Sequence, residues 1–152
     1  SVHLEDYNLL VLHNLPSKTY PMSAFLKQVN EAELPIWYVV GTQTDINRFN
    51  AVQSKLKIKW EQSYDNVFAY GATDDANSLF RLPDDFNRFL EQLPPLKVPF
   101  GTYRVLENPM PLFKQKIKGV KTEKPLFLIL NNQQQRKAYL LGEGVWQWRL
   151  YD

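Results

Sequence analysis

The sequence predicts a single α/β domain built on a mainly parallel sheet. Three observations lead there. Two short apolar runs, Tyr7–Leu12 and Ile36–Val40, are continuous rather than alternating, the pattern of strands covered on both faces. Each is followed by an amphipathic segment, and the order strand, helix, strand, helix defines a βαβ unit with a right-handed crossover. The chain has 152 residues, 44% hydrophobic and 22% charged, which suits one globular domain, residues 1–152, with a sizeable core.

The elements follow in order. After the first run, His13-Asn14-Leu15-Pro16-Ser17 reads as a loop. Ser23 is placed to cap a helix from about Ala24 to Glu33, with Phe25, Leu26 and Val29 on one face, and Pro35 stops it. After the second run, Gly41-Thr42-Gln43-Thr44 makes a turn. Asp45 then caps a helix from Ile46 to about Ser54, with Ile46, Phe49 and Val52 inward. Lys57–Trp60 alternates like a half-wet strand, and Val67–Tyr70 reads as another short one. Asp84 or Asp85 opens a third helix, because Phe86, Phe89, Leu90 and Leu93 recur at helical spacing; Pro94-Pro95 ends it. The remainder adds β-hairpins. Strands are expected at Val98–Phe100, Tyr103–Leu106, Leu112–Val120, Leu126–Leu130 and Lys137–Leu141, with Asn131–Gln135 as a hairpin loop.

Composition excludes several kinds of chemistry. With no cysteine there is no disulfide, no cysteine-ligated zinc and no thiol catalysis. Only His3 and His13 are present, and neither a His-x-x-x-His pair nor a Gly-x-Ser-x-Gly elbow occurs; no metal and no cofactor are expected. The net charge of +2 divides unevenly. Residues 1–96 carry 8 basic against 12 acidic side chains, and residues 97–152 carry 10 against 4. That is a mild dipole, not the footprint of a nucleic-acid binder. No apolar run approaches the roughly 18 residues of a membrane span. The chain begins Ser-Val-His, which reads as a piece excised from a longer protein whose membrane segments lie elsewhere.

Five constellations carry possible chemistry. In open α/β sheets ligands bind beyond the carboxyl ends of the strands, so His13, Thr42, Gln43 and Thr44 are the first candidates. A helix N-terminus there favours an anion, although Asp45 sets a negative charge at the same place. The plainer reading is a turn, a cap and an exposed histidine. The second is a Ser-His-Asp triad, which would need His13 or His3. Third, the pairs Asp74-Asp75 and Asp84-Asp85 suit a polar loop and a helix cap better than a cation site, lacking a calcium-loop pattern. Fourth, Lys114, Lys116 and Lys118 fall on one strand face; a solvated strand explains them better than an acidic partner does. Fifth, Trp146, Trp148 and Tyr151 follow two glycines and form either a saccharide- or peptide-binding platform or an anchor into the core.

Two stretches, Leu34–Asn50 (LPIWYVVGTQTDINRFN) and Ala138–Asp152 (AYLLGEGVWQWRLYD), resemble the class I glutamine amidotransferase-like domain of membrane-associated proteins of Bacteroidetes. In that group a Gly-x-Gly-x-Trp-x-Trp-Arg-like segment closes the domain. The resemblance implies a flavodoxin-like three-layer sandwich. It also implies a site whose nucleophilic cysteine, with partner His and Glu, would stand in the turn after the second strand. Here that turn is Gly41-Thr42-Gln43-Thr44, so the catalytic set does not carry over. The expectation is a non-catalytic binding or assembly domain of a cell-envelope protein, with an unidentified protein or small-molecule partner. Its rivals are a hydrolase with Thr42 or Thr44 beside His13, and a saccharide or peptide module built on the C-terminal aromatics.

Overall fold

A computed structural model describes residues 3–72, 83–131 and 134–151. Asp74-Asp75, and Asn132 and Gln133 of the expected hairpin loop, lie outside the described residues, as do the side chains of Asp84 and Tyr151. The strands are β1 (Leu10–His13), β2 (Ile36–Val39), β3 (Leu56–Gly71), β4 (Leu96–Val105), β5 (Met110–Ile117), β6 (Val120–Asn131) and β7 (Arg136–Leu140). The helices are α1 (Ser23–Glu31), α2 (Ile46–Val52) and α3 (Asp84–Gln92), and a 3-10 segment, Val145–Tyr151, closes the chain.

All seven strands form one sheet in the order β1-β2-β7-β6-β5-β3-β4. β1 with β2 and β2 with β7 are parallel. The other four neighbouring pairs are antiparallel. The expected mainly parallel, flavodoxin-like sheet is therefore corrected: the βαβ unit is present, but hairpins supply most of the sheet. Hairpin pairing depends on which strand folds back on which, and no local period in the sequence encodes that.

The residues sort onto two faces by the pleat. Ile36, Tyr38 and Val40 point into a core shared with Leu26 and Val29 of α1, Ile46 and Phe49 of α2, and Tyr139 and Leu141. Its centre is aromatic: the Tyr38 and Tyr139 rings stack at 5.3 Å, and Phe49 meets Tyr38 edge-on at 5.4 Å. Trp37 and Val39 face the other way, toward Leu90 and Leu93 of α3, Leu140, and Trp148 of the closing segment. Strand β3 serves both cores. Leu56 and Ile58 line the first, Val67 and Ala69 the second, and a register shift between Trp60 and Tyr64 separates them. That irregularity is why one long strand reads as two short ones in the sequence.

Other expectations change in detail. β1 begins at Leu10 rather than Tyr7, and it is covered on one face only, since Val11 is 49% exposed. Ser23 is the first residue of α1 and caps nothing; the N-cap is Met22, in the left-handed region at φ 61°. Asp45 does cap α2, accepting from the Arg48 amide at 3.1 Å. Lys114 and Lys116 lie on β5, where Lys114 pairs with Glu123 at 2.8 Å; Lys118 sits instead in the turn to β6 at φ 49°, so the three do not share a strand face. No helix among the described residues is long and apolar enough to cross a membrane.

Candidate functional site

The parallel strands β1, β2 and β7 end side by side, and their carboxyl ends carry a hydrogen-bonded polar cluster. β1 delivers His13 and Asn14, β2 delivers Gly41 to Thr44, and β7 delivers Gly142 to Gly144. At the centre stands Glu143. The Thr42 hydroxyl donates to Oε1 at 2.7 Å, and the Asn14 amide donates to Oε2 at 3.2 Å. Asn14 turns its other side-chain atom, Oδ1, to the backbone N–H of Gln43 at 3.2 Å. Asn14 reaches these partners from the left-handed region at φ 59°, which asparagine tolerates better than most residues. Glycine at position 41 leaves room for the cluster: a Cβ there would push the ends of the Glu143 and Asn14 side chains aside.

The backbone of Glu143 is held as firmly. Its N–H donates to the Lys97 carbonyl at 3.0 Å, and its carbonyl accepts from the Lys97 N–H at 3.0 Å. One residue thus ties the parallel strand ends to the start of β4. Burial pushes the Glu143 carboxyl up. The hydrogen bonds from the Thr42 side chain, Asn14 and the Thr42 backbone, with the nearby His13, together outweigh burial and hold it below the usual carboxylate range. Glu143 is therefore an ionised acceptor. Burial, and then the Glu143 charge, raise the pKa of the Tyr64 phenol, which donates to the Thr42 carbonyl at 3.3 Å.

Two clefts flank the cluster. The larger, about 990 Å³, lies between the loop after β1, which contains a cis Leu15–Pro16 bond, the α2 entry, and the irregular stretch of β3. The smaller, about 380 Å³, lies on the other side, against Lys97, Gly144 and Trp146. His13 lines both.

The structure brings His13, Thr42, Gln43 and Thr44 to the larger cleft, as the strand-end argument expects. Their side chains stand in different settings there. Thr44 is only 5% exposed, and its hydroxyl accepts from the Gly41 N–H at 3.0 Å, so it shapes the turn. The Thr42 hydroxyl is committed to Glu143, and the His13 ring makes no hydrogen bond among the described residues. The two C-terminal tryptophans part company. Trp148 donates to the Pro94 carbonyl at 2.8 Å and packs on the second core, whereas Trp146 is 70% exposed in the smaller cleft. They do not form one platform. Among the described residues no group of His and carboxylates is arranged to hold a metal ion.

Sequence reasoning missed Asn14, Glu143, Trp60 and Tyr64. Glu143 left one trace: a lone charge between two glycines directly after a buried strand, a place where backbone closeness and a polar task coincide.

No family model matches the sequence, and no curated protein is similar to it. Two solved structures are similar in chain trace. One is a glutamine amidotransferase from Thermotoga maritima, at 13% identity and a TM-score of 0.45, covering 94% of this chain and 58% of that one. The other is a β-galactosidase from Bacillus circulans sp. alkalophilus, at 10% identity and a TM-score of 0.52, covering 93% of this chain and 21% of that one. The chain spans less than two thirds of the length of either. The second likeness shows a shared fold alone, with mixed α/β character around a seven-stranded sheet.

Proposed function

We propose that this chain is a non-catalytic, amidotransferase-like binding or assembly domain of a cell-envelope protein, and that its ligand or partner engages the strand ends around Glu143. The amidotransferase-like and cell-envelope parts of this reading are supported by the resemblance of Leu34–Asn50 and Ala138–Asp152. The non-catalytic part is supported by one observation above all. The Thr42 hydroxyl, in the turn where the resemblance would set a nucleophile, donates to a carboxylate held ionised by three hydrogen bonds. A useful general base has a pKa near the working pH, and a carboxylate depressed below its ordinary value is far from that. A threonine nucleophile also needs an adjacent base, and His13 is not bonded to either threonine.

The rival reading, a hydrolase, takes its best form as Thr42 with Glu143 rather than with His13, because the 2.7 Å contact is within proton-transfer reach. Purified protein incubated with glutamine and with p-nitrophenyl acetate separates the two readings. The expected result is no turnover above the protein-free background. Turnover that is abolished by Thr42→Val or His13→Ala would overturn the proposal.

A further inference from the structure

The larger cleft shares Asn14, Thr42 and Gln43 with the cluster around Glu143, but that cluster does not account for the rest of its lining. Its far wall is the irregular stretch of β3, where Gln62 stands in the left-handed region at φ 57° and the register slips between Trp60 and Tyr64. Four residues apart on one strand, the Trp60 and Tyr64 rings lie on the same rim, 5.5 Å apart and tilted by 52°. Tyr20, 65% exposed, stands among the residues opposite. Four carboxamides complete the lining: Asn14, Gln43, Asn47 and Gln62. Of these, Gln43, Asn47 and Gln62 are exposed, and their side chains make no hydrogen bond among the described residues.

This set selects by chemistry. A carboxamide carries both a donor and an acceptor, so it matches a hydroxyl whichever way the hydroxyl turns. Aromatic faces match the apolar C–H face of a pyranose ring, and rings supply contact area at little entropic cost. Charge is nearly balanced. Lys18 is a cation of the cleft, and Asp45 is already engaged by the Arg48 amide and by the Arg48 guanidinium at 3.4 Å. Lys18 beside the Asp45–Arg48 pair is not the cluster of cations that would select a phosphate or carboxylate group. A volume of about 990 Å³ is within the range of small-molecule sites and holds more than one sugar ring.

We propose that this cleft binds a neutral oligosaccharide, its rings against Trp60 and Tyr64 and its hydroxyls on the carboxamides. The inference rests on the binding reading above and gives it a ligand class. It moves the aromatic recognition surface from the C-terminal tryptophans to β3.

The test is isothermal titration of the whole chain against a panel of neutral cello-, xylo-, manno-, malto- and chito-oligosaccharides, with an acidic galacturonide as the charged control. Saturable binding of at least one neutral member, with none of the galacturonide, is the expected result. Trp60 also packs on the first core, so Trp60→Ala risks unfolding. Gln43→Ala and Asn47→Ala remove exposed, unbonded groups and should leave melting unchanged while weakening binding by about tenfold together. Binding by no neutral member overturns the inference, as does binding that survives both carboxamide variants but is lost in Trp146→Ala. Analysis of the bound sugar after long incubation keeps the two claims apart. A cleaved sugar would defeat the non-catalytic reading while leaving the ligand class standing.

Discussion

Strands β2 and β5 occupy comparable interior positions in one sheet, yet they bury their residues differently. β2, between two parallel neighbours, has Ile36 and Tyr38 fully buried on one face and Trp37 and Val39 half-buried on the other. β5, between two antiparallel neighbours, has a single fully buried residue, Gln115, and seven half-buried ones. Helices α1 and α2 pack on one face of β2 and α3 with Trp148 on the other, whereas the half-buried residues of β5 that reach a core, Phe113 and Ile117, join only the one beside α3. The lesson is one of division of labour. The parallel half supplies the strand ends, the antiparallel half supplies the wall of the larger cleft at β3, and Glu143 joins them through its backbone to β4 and its carboxylate to the loops after β1 and β2.

The comparison breaks most visibly in the cores. Phe49→Ala empties the aromatic cluster under the parallel half and should cost about 3–5 kcal/mol in denaturant unfolding. Phe68→Ala, on β3 at 37% exposure, should change stability by only about 0.5 kcal/mol. Equal losses would mean that the two halves are covered alike.

The joint between the halves comes next. Gly41→Ala forces Glu143 and Asn14 aside and should destabilise by about 1–3 kcal/mol, as overpacking does. In a Glu143→Ala background part of that cost should disappear, since one of the colliding groups is gone. A cost unchanged in that background, by a double-mutant cycle, would disconnect Gly41 from the cluster.

Caps give a smaller contrast. Asp45→Ala should cost about 1 kcal/mol, because its side chain holds the Arg48 amide. Ser23→Ala should stay within about 0.5 kcal/mol, because Ser23 caps nothing. Thermal melts of the two variants decide it.

The smallest effect is a pH dependence. The Glu143 carboxyl is depressed in the folded chain, so its contribution is present above the unfolded pKa of about 4.3 and fades as pH falls through the lower folded value. Denaturation curves between pH 6 and pH 3 should therefore lose less stability in Glu143→Gln than in the parent.

What the sequence revealed follows the same division. The doubly covered strand β2 and the helices α2 and α3 were legible because burial writes a continuous run or a helical period into adjacent residues. In the antiparallel half only the local β6–β7 hairpin, with pairs such as Leu128 and Tyr139, was legible; the strand order was not, because it depends on pairings such as Val67 with Ile117, set far apart in the chain. That His13, Thr42, Gln43 and Thr44 lie together at the strand ends was legible because strand ends before helices are locally recognisable. Asn14 and Glu143 were not, because they meet across 129 residues. Trp60 and Tyr64 were missed because nothing local to β3 says that its face meets the loops after β1 and β2.

The account turns on the state of one carboxyl group. Selective ¹³C labelling of glutamate, with Glu143 assigned by its loss in Glu143→Gln, allows its titration to be followed by NMR. A midpoint below the ordinary glutamate value of about 4.3 is the predicted result: an acceptor locked by Thr42 and Asn14. A midpoint raised toward about 6–7 would describe a poised general base beside a threonine hydroxyl, and would contradict the account.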